Sequence, residues 1–411
     1  MNQVSVKQSC CSFLHRMTSK AKSLLACPHE PFEGAFILGI FQVQKGLKLI
    51  SYNLKLHRFH ELLNDIHAGG HTKARSYQSF PSHIRSHGLE EARKISRLEY
   101  ANIVATHELA KELDILCESR PCETVDIAYD EHTFQFGVLA IEMMRMTMDP
   151  NEGAACYKIF NGEEATERFL VPGAVGAFQY AAGSINAYKF TIGLLKVCLS
   201  IGLHLHTKTA VESIKQTTPS ATGGFRYEIS TSEGVISTNT VILATNGYTA
   251  HLLPQMQGKI VPLRGQVTVQ RPGPKLKQLK PNGLENTYSF IYETGYEYMI
   301  ARPKLPSVPP DDIGDIIIGG GLGRLPGEGL SEYGNTDDSE VNTNNSKYLK
   351  QTLKSYFGEN WGDDDPDRRV KKDWTGVMGI TGDGAPFVGK VPGMQRCWIS
   401  AGFNGNGKSL L

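Results

Sequence analysis

The stretch GFNGNGKS, residues 402–409, has the spacing G-x-x-x-x-G-K-S of a phosphate-cradling loop. Such a loop holds a nucleotide because a helix begins at it and points its N-terminal N–H groups and positive dipole at phosphate. Only Leu410 and Leu411 follow Ser409, so that helix is lacking and no ATP hydrolysis is expected to depend on Lys408. The glycines ask for another explanation, and close backbone approach to a ligand, with no Cβ in the way, is the physical one.

Other patterns are weaker. IIIGGGLGRLPG, residues 316–327, is rich in glycine but lacks the G-x-G-x-x-G spacing, and Pro326 with Gly327 and Gly329 opposes a helix start. It reads as a turn at a strand end. His204 and His206 share one face of a strand, and HAGGH brings His67 near His71, yet neither pair has a third ligand at a telling spacing. Structural histidines and no metal are expected. No nucleophile elbow and no Cys–His signature is present.

The elements that would position these loops follow from periodicity. LEEARKISRLEYANIVATHELAKELDI, from residue 89, spaces Ala92, Ile95, Leu98, Ile103 and Leu109 as a helix does. A strand is expected at Thr124–Tyr129, helices at Phe136–Thr147 and at Ser184–Ile201 with Ser184 as cap, and a buried strand at Val241–Thr245. A strand within 203–216, an antiparallel pair at FRYEISTS (225–232) and VISTNT (235–240), strands at 260–270, 288–292, 298–301 and 316–318 and a helix at Lys347–Phe357 complete an α/β core beside an α+β partner.

Composition sets the bounds. With 411 residues, 40% hydrophobic and 21% charged, the chain can bury one large discontinuous domain or two. A formal charge of +1 offers nothing to a nucleic acid. The first sixty residues carry eight Lys/Arg against Glu30 and Glu33, a net of +6, leaving −5 for the rest. That leader is faintly like a mitochondrial transit peptide, an alternative to a cytoplasmic location. Its apolar run, Gly34 to Phe41, falls well short of the about 20 residues that span a bilayer, so no membrane partner is expected. Eight cysteines without a CxxC suit a reducing, intracellular compartment.

Six separated stretches make a more specific pattern together: AGGHTKARS at 68–76, TAVESI at 209–214, VILATNGYT at 241–249, PLRGQ at 262–266, WTGVMGITGDGAPFVG at 374–389 and AGFNGNG at 401–407. They resemble the flavin-dependent oxidoreductases of the D-amino-acid oxidase and glycine oxidase superfamily, nearest to its gamma-glutamylputrescine oxidase branch. The resemblance implies FAD as cofactor, oxidation of an amine or amino acid at its C–N bond to an imine, and O2 as acceptor. It implies an incomplete Rossmann-like FAD-binding domain from residues 68–84, 170–255 and 373–411, and a discontinuous α+β substrate domain from 85–169 and 256–372. Residues 1–67 stand apart as an atypical leader.

Position by position, the resemblance places Gly69, Gly70 and His71 along the flavin ring and Val211 at the adenine. Ala244, Thr245 and Asn246 fall at the diphosphate and ribose. Gly402, Phe403, Asn404, Gly405, Asn406 and Gly407 would offer backbone N–H groups to the ring's N1–C2=O edge. Arg264, Tyr292, Tyr298, Arg302 and Trp374 become candidates for substrate handling, Arg302 as a bidentate carboxylate clamp. No first strand and no G-x-G-x-x-G precede residue 68 in this reading, and no helix follows Gly407. The core thus reads as clipped at both ends, and a non-catalytic flavoprotein relic or binding scaffold is the alternative function.

Overall fold

The computed structural model describes residues 35–39, 69–200, 203–207, 209–218, 226–304 and 313–405. Its strands are β1 (Ala35–Gly39), β2 (His71–Thr72), β3 (Arg120–Ala128), β4 (Tyr157–Asn161), β5 (Gly176–Ser184), β6 (Val211–Gln216), β7 (Tyr227–Thr231), β8 (Gly234–Thr238), β9 (Thr240–Ala244), β10 (Val261–Gln270), β11 (Thr287–Tyr292), β12 (Gly295–Ala301), β13 (Ile316–Gly320), β14 (Val370–Ile380), β15 (Phe387–Lys390) and β16 (Cys397–Ala401). The longer helices are α1 (Ser76–His87), α2 (Leu89–Glu112), α3 (Glu131–Thr147), α4 (Gly162–Phe169), α5 (Ala187–Ser200) and α6 (Thr343–Phe357).

Three sheets result. A nine-stranded sheet runs β14-β10-β13-β12-β11-β3-β5-β2, with β4 also on β5. A four-stranded sheet runs β1-β9-β16-β15, and β6-β7-β8 form a meander. Pairs β1–β9 and β9–β16 are parallel, the arrangement in which a strand is buried on both faces and reads as a continuous apolar run. VILA fits, with Val241 and Leu243 buried, and AFILG at 35–39 is likewise an apolar run in the sequence. The expectation of no strand ahead of residue 68 is therefore corrected: Ala35–Gly39 pairs with Thr240–Ala244 in register. A five-residue apolar run has too little period to be told from other structure. In the large sheet β5 and β14 hydrogen-bond beside β3 and β10, although they lie in segments assigned by resemblance to the first domain.

The two faces of the large sheet differ. On one, Val125, Ile127, Tyr288, Phe290, Met299 and Ile318 pack against Leu349, Leu353 and Phe357 of α6. On the other, Phe178 and Tyr180 meet Tyr77 and Phe80 of α1 and Ile141 and Met144 of α3. Helix α2 buries Ala92, Ser96, Glu99, Ile103, His107 and Ala110, a three-and-four spacing that lines one face.

Helix ends depart from the sequence reading where a polar cap lies outside the apolar period. Asp130 caps α3 by accepting from Thr133 N at 2.7 Å, six residues ahead of the expected region, and Asn342 caps α6. Ser184 is not the cap of α5, because it stays in β5 opposite Arg120 and His71. Asn186 accepts from Lys189 N at 3.1 Å instead. No described helix is long and apolar enough to cross a membrane. The five described cysteines, Cys117, Cys122, Cys156, Cys198 and Cys397, are free.

Candidate functional site

Residues directly opposite on neighbouring strands share a face, so register alone places side chains together. Asp126 lies opposite Ser289, Ser289 opposite Tyr298, Tyr298 opposite Gly319, Gly319 opposite Val267, and Val267 opposite Trp374. One row thus crosses β3, β11, β12, β13, β10 and β14 on the face away from α6. Two of the expected substrate-handling residues, Tyr298 and Trp374, belong to it.

The row is built around glycine. A Cβ on Gly69 would lie 2.5 Å from Tyr298 Cε2, and one on Gly319 would lie 2.6 Å from the Tyr298 hydroxyl. The ring therefore fits between two backbones that only glycine leaves open. Burial pushes the Tyr298 phenol up, and the Gly69 backbone N–H bonds its oxygen. At the far end the Trp374 indole Nε1 is buried and unpartnered among the described residues. A buried donor without an acceptor is costly, which marks the place as one for a ligand atom.

The other end is charged. Asp126 is fully buried and accepts from the Tyr77 and Tyr180 hydroxyls at 2.9 Å each. Lys73 Nζ donates to Asp126 Oδ1 and, at 2.7 Å, to Ser289 Oγ. Burial lowers the Lys73 ammonium below its usual range, with Asp126 opposing the shift. His71 hydrogen-bonds Thr287 Oγ1 at 2.7 Å and Thr124 Oγ1 at 3.3 Å, one step along the same face. Sequence reasoning missed Lys73, Asp126, Thr287 and Ser289. The signal was an acid inside the apolar strand TVDIA, since a buried carboxylate demands a partner.

The second glycine loop meets the face at β14. Asn246 Oδ1 accepts from Gly402 N at 3.0 Å and Phe403 N at 3.3 Å, and Asn404 N donates to Gly379 O at 2.9 Å. Thr381 N donates to Asn404 Oδ1 at 2.8 Å, and a Cβ on Gly405 would reach Met378 Sδ at 3.1 Å. Met378 has the parity of Trp374 along β14, so both glycine loops lie over one face of the sheet. Thr245–Asn246 and Gly402–Gly405 touch directly, whereas Gly69–His71 packs on Tyr298, Ile185 and Ile300. The expected offer of successive amides is corrected for Gly402, Phe403 and Asn404, whose N–H groups are spent within the protein. Gly405, at φ +77, is the first of the loop beyond these bonds. Asn406, Gly407 and Lys408 lie outside the described residues, as does His67.

Three candidates fall away. Arg264 gives Nε to Glu332 at 2.7 Å and Nη1 to the Asp337 carbonyl at 2.9 Å, which ties β10 to a loop. Arg302 is a bidentate clamp, but on the chain's own Glu118, at 2.8 and 3.1 Å. Tyr292 is on the α6 face, where it donates to Glu297 at 2.6 Å. Spacing could not show that these groups find partners inside the fold. Val211 starts β6 opposite Thr231 and is buried in the second core, Ala244 ends β9 opposite Gly39, and the Thr245 hydroxyl bonds that of Thr249 at 2.7 Å. Gly319–Gly321 is the expected strand-end turn, with φ +115 and +80 at Gly320 and Gly321. No described group of three His, Cys, Asp or Glu is placed to hold a metal, His204 and His206 included.

The chain is similar in structure to glycine oxidase from Geobacillus kaustophilus, at 18% identity and TM-score 0.61 over 84% of this chain and 80% of that one. Iminodiacetate oxidase from Chelativorans sp. BNC1 aligns at 14% identity and TM-score 0.57 over 84% and 82%. L-amino acid deaminase from Proteus myxofaciens aligns at 16% and 0.59 over 85% and 80%. These likenesses establish the α/β fold, a Rossmann-like unit beside a large mixed sheet. No curated protein sequence matches. The profile of the FAD dependent oxidoreductases matches residues 65–410, and with that match the chain belongs to this family of flavoproteins, whose cofactor is FAD.

Proposed function

We propose that the chain oxidises the C–N bond of a small amine or amino acid held on the row from Asp126 to Trp374, with O2 as electron acceptor. The observation that carries the reading is that row, with Asp126 and Ser289 at one end, the Tyr298 hydroxyl in its middle and the unpartnered Trp374 indole at the other, overlain by both glycine loops.

The residues fit the isoalloxazine end of FAD. Gly69, Gly70 and His71 would border the ring, and Gly405 would face its edge, while Val211, Ala244 and Thr245 would lie towards the nucleotide. FAD, when bound, accepts the hydride that leaves the substrate carbon. The chain's own groups do the rest. Tyr298 presents a hydroxyl to the substrate nitrogen, and Trp374 Nε1 offers an uncommitted donor to a substrate carboxylate. Lys73, eased towards its neutral form by burial, holds or releases a proton at Nζ within a network that Asp126 orients. α1 and α3 exclude water from this end.

The test is anaerobic mixing of FAD-loaded protein with glycine, iminodiacetate, L-amino acids and gamma-glutamylputrescine. Bleaching of the flavin band by one of them, followed by peroxide on admitting O2, is expected. No bleaching by any amine sinks the reading. The alternative, a non-catalytic flavoprotein scaffold, is favoured by the three loop amides spent on Asn246 and Gly379. FAD retention without bleaching would support it.

A further inference from the structure

On the α6 face of the large sheet, opposite the row, a cavity of about 460 Å³ opens between α4 and the segment leading into β11. Its floor is Gln179, one residue from Phe178 and Tyr180 on β5 and therefore pointing the other way, beside Tyr288. Gln179 is only 2% exposed. Its Nε2 donates to Asn286 Oδ1 at 3.1 Å, while its Oε1 is buried with no partner. A buried carbonyl left unmade is costly, and the residue that carries it lines a space large enough for a metabolite.

The walls carry both signs. Glu123 and Glu285 line the cavity with Arg168 and Lys280. Glu123 pairs with Lys158 at 2.8 Å, and the Arg168 guanidinium lies over the rings of Phe160 and Phe169 at 5.4 and 5.8 Å. Among the described residues, Arg168, Lys280 and Glu285 form no ion pair. A cation alone would meet Arg168 and Lys280, and an anion alone would meet the two carboxylates. A molecule with both charges a few bonds apart satisfies all of them.

We infer that this cavity binds a small zwitterion of the α-amino acid class, apart from any chemistry on the opposite face. Its ammonium donates to Gln179 Oε1 and the Glu123 and Glu285 carboxylates, and its carboxylate meets Arg168 and Lys280. Isothermal titration of the full-length protein with L-glutamine tests this, with putrescine (no carboxylate) and glutarate (no ammonium) as controls. Saturable L-glutamine binding is expected in the wild type and in Tyr298→Phe, which alters only the other face. It should weaken at least tenfold in Gln179→Met and in the Arg168→Ala/Lys280→Ala double variant, neither of whose altered side chains is buried. Absence of saturable binding overturns the inference. So does unchanged affinity in the double variant, loss of the signal in Tyr298→Phe alone, or control ligands that bind as tightly.

Discussion

Each face of the large sheet buries a carboxylate, and the two are treated differently. Asp126, on the row, is met by a cation, Lys73, and by two phenols. Glu297, beneath α6, is held by the Tyr292 and Tyr356 hydroxyls at 2.6 Å each, with Arg324 no nearer than the Tyr292 ring, 3.6 Å above its centre. Burial raises the Glu297 carboxyl, and the phenols, with the Arg324 charge behind them, offset only part of the rise. The sealed face relies mainly on neutral donors, with the one cation a ring away and, among the described residues, none bonded to the carboxylate. The face that carries the site keeps a whole ion pair at its edge, where one member can exchange a proton.

The largest effect should come from breaking that pair. Asp126→Ala strands the Lys73 ammonium and two buried hydroxyls, and urea unfolding should show a loss of about 3–5 kcal/mol. A loss below about 1 kcal/mol would mean that the pair is solvated and the contrast between faces false.

A third carboxylate sharpens the comparison. Glu99 on α2 is buried with Ser76 as its side-chain partner, and burial lifts it to about 7. An acid raised in the folded state gives stability that is full below its unfolded value, near 4.5, and lost as pH rises through about 7. Glu99→Gln should therefore flatten the fall in stability between those limits, gaining up to about 3 kcal/mol at pH 8. Equal pH slopes for variant and wild type would place the lost protons elsewhere.

Gly319→Ala comes next. Its methyl group would press on the Tyr298 hydroxyl, so a cost of about 1–3 kcal/mol is expected, with a shift in the Tyr298 ring resonances. Restoration by the double variant Gly319→Ala/Tyr298→Ala would locate the strain in that contact. The smallest stability effect, below about 1 kcal/mol, should be that of Tyr298→Phe, which keeps the ring. In the FAD-loaded enzyme the same variant should slow bleaching by the substrate at least tenfold. An unchanged rate would remove Tyr298 from substrate handling.

Much of the fold was legible because it is local. The apolar spacing of α2 and the run VILAT declared helix and strand, and the glycines at 319–321 declared a turn. Tyr298 and Trp374 were reached through resemblance, and the register then set them on one face. Lys73, Asp126 and Ser289 were not legible as a group, because they come from three segments joined by pairing that no local pattern encodes. Arg264 and Arg302 misled for the same reason: a free guanidinium and a clamped one look alike until Glu332 and Glu118 are in place. The strand at 35–39 was hidden by its brevity.

The chain builds the large sheet in two instalments. It leaves the sheet after β5 and returns at β10, and among the described residues the strands of the two pieces pair only where β3 lies parallel to β11, from Thr124 opposite Thr287 to Ala128 opposite Ile291. That seam runs through the site, for Asp126 stands on one side and Ser289 on the other, with Lys73 bonded to both. Neither instalment alone holds a fragment of the site that works in isolation. Non-local pairing of this kind is slow to nucleate and cooperative once formed. The backbone amides of Ser289 and Phe290 should consequently exchange with solvent only through global opening, alongside that of Asp126. Competence for chemistry and completion of folding are then a single event.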